Sequence, residues 1–197
     1  MEHYFSEQQK SPFTLRQVDY CINNMHFLLK TAPGTFSYKD IDKGSDLLLK
    51  KAIIQNRWRI LDLGCGYGFI GVVLSRLFPQ GYVVMSDINK RACKLAKMNI
   101  ELNNILNAEV RHSNLFSAIP EKFDTILVNP PQTAGKELCY KIIEESPKFL
   151  KKNGLLQLVA RHNTGGSQLE KKMLEVFGNV KAIAKKGGYR IYVSKKE

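Results

Sequence analysis

"LDLGCGYGFIG", residues 61–71, sets a carboxylate, Asp62, two positions ahead of the first of four glycines spread over eight residues. An apolar run, "RILDLG" (59–64), leads into it and an amphipathic one, "FIGVVLSRLF" (69–78), leaves it. A strand that enters a helix through such a turn lets the backbone pass close to a ligand and direct its N–H groups at it. Outward from this point, the chain after Trp58 alternates short Val, Ile and Leu runs with longer amphipathic ones, the pattern of a parallel sheet flanked by helices. Further strands are expected at "GYVVMSD" (81–87), "AEVRHS" (108–113), "FDTILVN" (123–129), "GLLQLVA" (154–160), "NVKAIAKK" (179–186) and "YRIYVSK" (189–195). The predicted fold is α/β, a Rossmann-like doubly wound seven-stranded sheet, mostly parallel. The Gly187-Gly188 pair permits a tight hairpin, so the last strand is expected to run antiparallel to its neighbour.

Helices are expected between these runs. In "NKRACKLAKMNIELNN" (89–104), Ala92, Leu95, Ala96, Asn99 and Leu102 fall along one face. "KELCYKIIEE" (136–145) is helical, and "SPKFLKKNG" (146–154) reads as a second short helix with Ser146 as N-cap, Pro147 at the first position and Gly154 as its stop. "SQLEKKMLEVFG" (167–178) is the last helix. Residues 1–57 offer an apolar strand, a Pro33-Gly34 turn and a helix beginning near Lys43 or Gly44. No Gly-, Ser- or Pro-rich linker sets them apart, so a single domain spanning 1–197 is predicted, with 1–57 as flank or lid on a core of 58–197.

The 197 residues suffice for one sizeable core. A net charge of +12 implies a field that attracts polyanions, nucleic acid first among them. Much of it is carried late: Lys141–Glu197 holds 13 Lys or Arg against 5 Asp or Glu. Lys151, Lys152, Arg161, Lys185, Lys186 and Arg190 are expected at strand ends or turns, where they would contact phosphates. Cys21, Cys65, Cys93 and Cys139 form no CxxC pair, which fits reduced thiols better than disulfides or zinc, and no metal is expected. The stretch "MEHYFSEQQK" has no signal-peptide core and no apolar run approaches about 18 residues, so a soluble, cytoplasmic protein without membrane contact is expected.

Gly66, Gly68 and Gly71 also satisfy G-x-G-x-x-G, and Asp87 follows about 20 residues on, as in a dinucleotide site. Asp62 weighs against that reading. A pyrophosphate would be repelled by a carboxylate at the strand end, whereas a ligand carrying an ammonium and a sulfonium would be attracted. S-adenosylmethionine is such a ligand, and Asp87 would then accept from its ribose hydroxyls. Ser113 and Asn114 end the next strand, where an amide could meet the adenine. In "VNPPQTAGK" (128–136), two prolines fix the backbone so that Asn129 and the Pro130 carbonyl can face one point. Two converging acceptors suit an exocyclic amino group, whose weak nucleophilicity calls for orientation rather than a strong base.

These residues resemble the class I S-adenosylmethionine-dependent methyltransferases, and within them the RsmC-like small-domain enzymes that methylate N2 of guanine in small-subunit ribosomal RNA. The likeness extends over nearly the whole chain, including "GTFSYKDIDKGSDLLL" (34–49), "LDLGCGYGFIG" and "NPPQTAGK" (129–136). It implies that Asp62, Gly64, Gly66 and Gly68 line the methionine part of the cofactor. It places Asp87 at the ribose, Ile88 among the cofactor contacts and Asn114 at the adenine. Asn129, Pro130 and Pro131 would form the catalytic loop, with Asn129 also touching the cofactor. Phe36 and Ser37, with Asp42, Gly44 and Ser45, match the family's N-terminal segment, which would close over the cofactor or target base. Gln132, Thr133 and Lys136 would meet the substrate together with Phe36 and Ser37. Where many relatives have an apolar residue followed by Arg or His, this chain has Gln132 and Thr133. Adenine-N6 or protein-glutamine methylation, and a non-catalytic RNA binder that keeps the fold, stand as alternatives. A flipped or unpaired guanosine is the expected target, and a monomer is favoured.

Overall fold

The computed structural model describes residues 6–131 and 135–197. Two antiparallel strands, β1 (Arg16–Ile22) and β2 (Met25–Thr31), precede helix α1 (Lys43–Lys51). The chain then alternates through β3 (Arg59–Leu63), α2 (Phe69–Leu77), β4 (Tyr82–Asp87), α3 (Lys90–Leu102), β5 (Ala108–His112) and β6 (Phe123–Val128). It continues with α4 (Lys136–Phe149), β7 (Leu150–Arg161), α5 (Gly166–Phe177), β8 (Lys181–Lys186) and β9 (Tyr189–Lys195).

The seven later strands form one sheet in the order β5-β4-β3-β6-β7-β9-β8. β3 pairs in parallel with β4 on one side and β6 on the other, so the winding direction reverses beside Asp62. In doubly wound sheets ligands bind at the carboxyl ends of the strands around that reversal. β9 is antiparallel to both neighbours. Gly187 and Gly188 supply the two positive φ values, 55° and 81°, of a two-residue hairpin turn. The expected fold class is the one observed.

Helices cover both faces. Val72, Val73 and Leu74 of α2 and Leu95 and Ala96 of α3 pack in one buried cluster with Leu47, Leu48 and Leu49 of α1. Ile142 and Ile143 of α4 pack with Leu169 and Met173 of α5 on the other face. The N-terminal segment shares the first cluster through Phe27, Leu29 and Ala32. Its second strand is also bonded along one edge by side chains of α3. Asn99 accepts from the backbone N of Lys30 (2.7 Å) and donates to its O (2.9 Å). Asn103 donates to Leu28 O (2.8 Å) and accepts from Leu28 N (3.3 Å). Two amides four residues apart on a helix thus serve β2 as a neighbouring strand would, and a strand edge is covered.

Three local expectations are corrected. No second helix starts at Ser146: α4 runs on to Phe149 with Pro147 in its last turn, and the Ser146 hydroxyl donates to Ile142 O (2.6 Å) instead of capping. Phe149 continues the helix because its ring stacks on Phe116, centroids 4.3 Å apart. Gly154 is not a helix stop but lies inside β7, where a side chain would come within 2.9 Å of Lys151 O and 3.1 Å of Asp124 O. Leu102 does not share the buried face of α3; the side chain is 37% exposed. The strand β1 was not anticipated, since its alternation in "RQVDYCI" is broken by charged and polar residues on both faces.

Candidate active site

Each of four adjacent strands ends in a residue that the sequence singles out. β3 carries Asp62, β4 ends at Asp87, Ser113 and Asn114 follow β5, and Asn129 follows β6. Between them lies a cavity of about 210 Å³, lined in part by Gly64, Gly66, Asp87, Ile88, Asn114 and Asn129. A smaller recess of about 30 Å³ reaches Asp62 and Ser37 and shares Phe36, Gly64, Gly66 and Asn129 with the larger one.

The glycine turn is built around its two acids. Asp62 is 2% exposed, and its Oδ2 accepts from Gly71 N (2.9 Å). Burial, with Asp87 adding to it, pushes the Asp62 carboxyl up to about 7 against the lowering effect of the Gly71 bond. The protein alone therefore leaves this charge poorly compensated, and a cation placed in the recess would compensate it. Asp87 accepts from Gly66 N and Asn89 N, both at 2.8 Å, and burial holds its carboxyl above the ordinary range. Its carboxylate fixes the glycine turn as well as facing the cavity. Gly64 and Gly66 have positive φ, and a Cβ on either would meet nothing within 4 Å. The space beside them is open to a ligand.

Gly68 and Gly71 are different. A Cβ on Gly71 would lie 2.3 Å from Met85 Cγ, and one on Gly68 would lie 3.0 Å from Ala96 Cβ. Gly68 is absent from the walls of both recesses, so its place is in packing α2 against the sheet and α3.

Asn129 is oriented from a distance. Its Nδ2 donates to Asp42 Oδ2 and to Ser45 Oγ, both at 2.9 Å, while Asp42 Oδ2 also accepts from Ser45 N (2.7 Å) as the N-cap of α1. A carboxylate can only accept, so the nitrogen of the amide is committed to Asp42 and the Oδ1 is left as an acceptor. The expected upstream segment thus meets Asn129, directly after β6. Phe36 is carried over both recesses by the Pro33-Gly34 turn. That turn is tied to α3: Asn89 Nδ2 donates to Gly34 O (2.8 Å), and Arg91 Nη1 donates to Pro33 O (2.5 Å).

Pro131 lines the larger cavity, while Pro130 is buried and lines neither recess. Lys136 is not brought to this site. It lines a separate groove with Gly135, Thr164 and Gln168. Gln132 and Thr133 lie outside the described residues. Ser86, which sequence reasoning passed over inside an apolar strand, lines the larger cavity with a buried hydroxyl that has no hydrogen-bond partner among the described residues.

An acid-flanked glycine turn at the switch point of a doubly wound sheet defines a nucleotide-type ligand site whose recess beyond the turn favours positive charge. The chain belongs to the methyltransferase small domain family, whose model matches residues 26–193, and it is a methyltransferase of the S-adenosylmethionine-dependent class. It is 36% identical to the uncharacterized protein YbxB of Bacillus subtilis over 99% of this chain and 98% of that one. It is also 36% identical to the ribosomal RNA small subunit methyltransferase C of Hamiltonella defensa, over 83% of this chain and 49% of the relative. Among solved structures it is similar to the Thermus thermophilus 16S rRNA N2 G1207 methyltransferase (RsmC) in complex with AdoMet and guanosine. That likeness has a TM-score of 0.83 and 24% identity, over 94% of this chain and 52% of that chain. The chain spans about half the length of these RsmC relatives and nearly all of YbxB. Among the described residues no helix is long and apolar enough to cross a membrane.

The residues present fit a sulfonium donor. The open space beside Gly64 and Gly66, the poorly compensated Asp62 and the Ser86 hydroxyl, without a partner among the described residues, are what a cationic nucleoside ligand would use.

Proposed function

We propose that the chain methylates the exocyclic N2 amine of a guanosine in small-subunit ribosomal RNA. The observation that carries this reading is the committed amide of Asn129, which leaves Oδ1 as an acceptor at the junction of the two recesses. The names and ligands of the RsmC relatives support the same target class.

S-adenosylmethionine, when bound, supplies an electrophilic methyl group on sulfur. In this reading Asp62 faces the methionine ammonium, Asp87 with Ile88 the ribose, and Asn114 the adenine. Asn129 Oδ1 accepts from the target amine, so that its lone pair is turned toward the methyl. As the N–C bond forms, the methyl–sulfur bond would break with its electron pair going to sulfur, the amine's proton would leave to water, and no side chain of the site would be required as a strong base. Catalysis then comes from placement. Phe36 and Ser37 cover the reacting groups.

Calorimetric titration with S-adenosylmethionine and, in parallel, NAD tests the cofactor; micromolar binding of the former alone is expected. Incubation of small-subunit rRNA with the enzyme and methyl-labelled donor, followed by nucleoside analysis, is expected to yield N2-methylguanosine. The yield should be abolished in Asn129→Ala. Label in N6-methyladenosine or in protein glutamine instead would replace the target, and RNA binding without any transfer would leave a binder.

A further inference from the structure

The cations of the C-terminal segment fall into two groups that the sequence alone did not separate. Lys151 and Lys152 stand at the start of β7, where Lys151 pairs with Asp124 (2.7 Å), at the end of the sheet away from Asn129. Arg161 stands at the other end of the same strand. β7 runs parallel to β6 with Leu158 beside Val128, so Arg161 lies on the Asn129 side. There the ladder brings Arg161 opposite Tyr189, Lys186 opposite Tyr189, and Lys185 directly opposite Arg190.

Residues directly opposite on a strand pair share a face, and like charges so placed are destabilising. Residues 176–196 contain no Asp or Glu, and among the described residues none of Arg161, Lys185, Lys186 or Arg190 has a carboxylate partner. Lys185, Lys186 and Arg161 are exposed at the Gly187-Gly188 tip, and the Arg161 guanidinium lies 4.7 Å from the Tyr189 ring centroid. The tip is also seated firmly on the site. The Tyr189 ring packs so closely on Gly44 that a Cβ there would lie 2.9 Å from Cε1. Gly44 sits between Asp42 and Ser45, the two residues that hold the Asn129 amide.

We propose that the β8–β9 hairpin tip, together with Arg161, is the docking surface for the sugar-phosphate backbone of the RNA, spaced from Asn129 by the Tyr189–Gly44 contact. The proposal rests on the RNA methyltransferase reading and names the surface that reading lacks. A polyanion would neutralise the opposed Lys185 and Arg190, neither of which has an ion-pair partner among the described residues, and such contacts position a strand without reading its sequence.

The test compares the triple variant Lys185→Gln/Lys186→Gln/Arg190→Gln with the pair Lys151→Gln/Lys152→Gln from the far end of the sheet. Binding of a fluorescein-labelled small-subunit rRNA transcript is followed by anisotropy across a salt series. For the triple variant, affinity at low salt should fall roughly tenfold or more, and the slope of log K against log salt should shrink by about 2, at about 0.7 to 0.9 per phosphate contact. The far-end pair should match the wild type, and S-adenosylmethionine binding should be the same in all three proteins. Wild-type affinity and slope in the triple variant would overturn the proposal, as would an equal loss in the far-end pair. Aggregation of the triple variant with RNA affinity intact would also overturn it, by showing that the lysines guard a sheet edge. Salt-dependent binding through the hairpin with no methyl transfer would instead overturn the enzymatic target and leave the docking surface standing.

Discussion

The side-chain amide of Asn129 and the carboxylate of Asp42 meet at 2.9 Å across 87 positions of sequence, and the contact decides which end of the amide is available. In the proposed reaction, loss of Asp42 lets the amide turn its nitrogen toward the target amine, which then faces a donor where it needs an acceptor.

Asp42→Ala is expected to lower kcat by about 10²-fold, the scale of a small misplacement at a reacting centre, with little change in donor affinity. It should also cost about 1 kcal/mol through loss of the α1 cap. Asp42→Asn keeps a capping acceptor and so restores most of the melting temperature. A comparison of kcat, donor affinity and thermal melting across the two variants separates orientation from folding. Equal kcat in wild type and Asp42→Ala would show that Asn129 needs no such support.

Asp62 makes stability and donor binding move oppositely with pH. Its carboxyl is raised in the folded protein to about 7, so between the ordinary carboxylate value and about 7 the native state holds more protons than the unfolded one. Stability without ligand should therefore fall as pH rises through that window, at a rate of up to about 1.4 kcal/mol per pH unit. Donor affinity should rise over the same window, because a bound cation favours the carboxylate. Asp62→Asn should flatten the Asp62 contribution to both profiles and weaken donor binding by roughly 10- to 100-fold. Denaturant melts and calorimetry between pH 5 and 8 provide the check.

The glycines of the turn divide by function. Gly71→Ala forces a methyl against Met85 and should destabilise by roughly 1–3 kcal/mol. Shortening the neighbour, as in Gly71→Ala/Met85→Ala, should recover part of that loss. Gly64→Ala has room for its methyl but an unfavourable φ of +72°, and its methyl enters the space beside the turn. It is expected to weaken donor binding more than Gly71→Ala does, relative to its effect on the melting temperature.

Asn99→Leu removes three hydrogen bonds, two to Lys30 and one to Tyr67 O (2.8 Å), and leaves buried backbone groups unpaired. A loss of about 1–3 kcal/mol per unpaired group is expected, concentrated in the N-terminal strands. Hydrogen exchange should show β2 opening ahead of the sheet, and uniform exchange across both would contradict the attachment described for α3.

The central sheet was readable because buried parallel strands are written as apolar runs, and the glycine turn because its spacing is tied to a strand-to-helix reversal. What local patterns could not show was long-range partnership. Pro147 looks like a helix start until α4 is seen to continue into the Phe149–Phe116 stack. Lys151 and Lys185 look alike in a charge count, yet the sheet sends them to opposite ends. Asp42 and Asn129 could be quoted as parts of two motifs, but only folding shows that one orients the other. Ser86 offered no signal at all, being one hydroxyl in an otherwise apolar strand.

Asn89 and Arg91, which follow Asp87 directly into α3, are the same residues that fasten the Pro33-Gly34 turn, and Arg91 also donates to Ser11 O (2.6 Å). The floor of the larger cavity and the strap bearing Phe36 are therefore anchored at one point. A substitution at Asn89 or Arg91 therefore acts on the cavity wall at Asp87 and on the placement of Phe36 together.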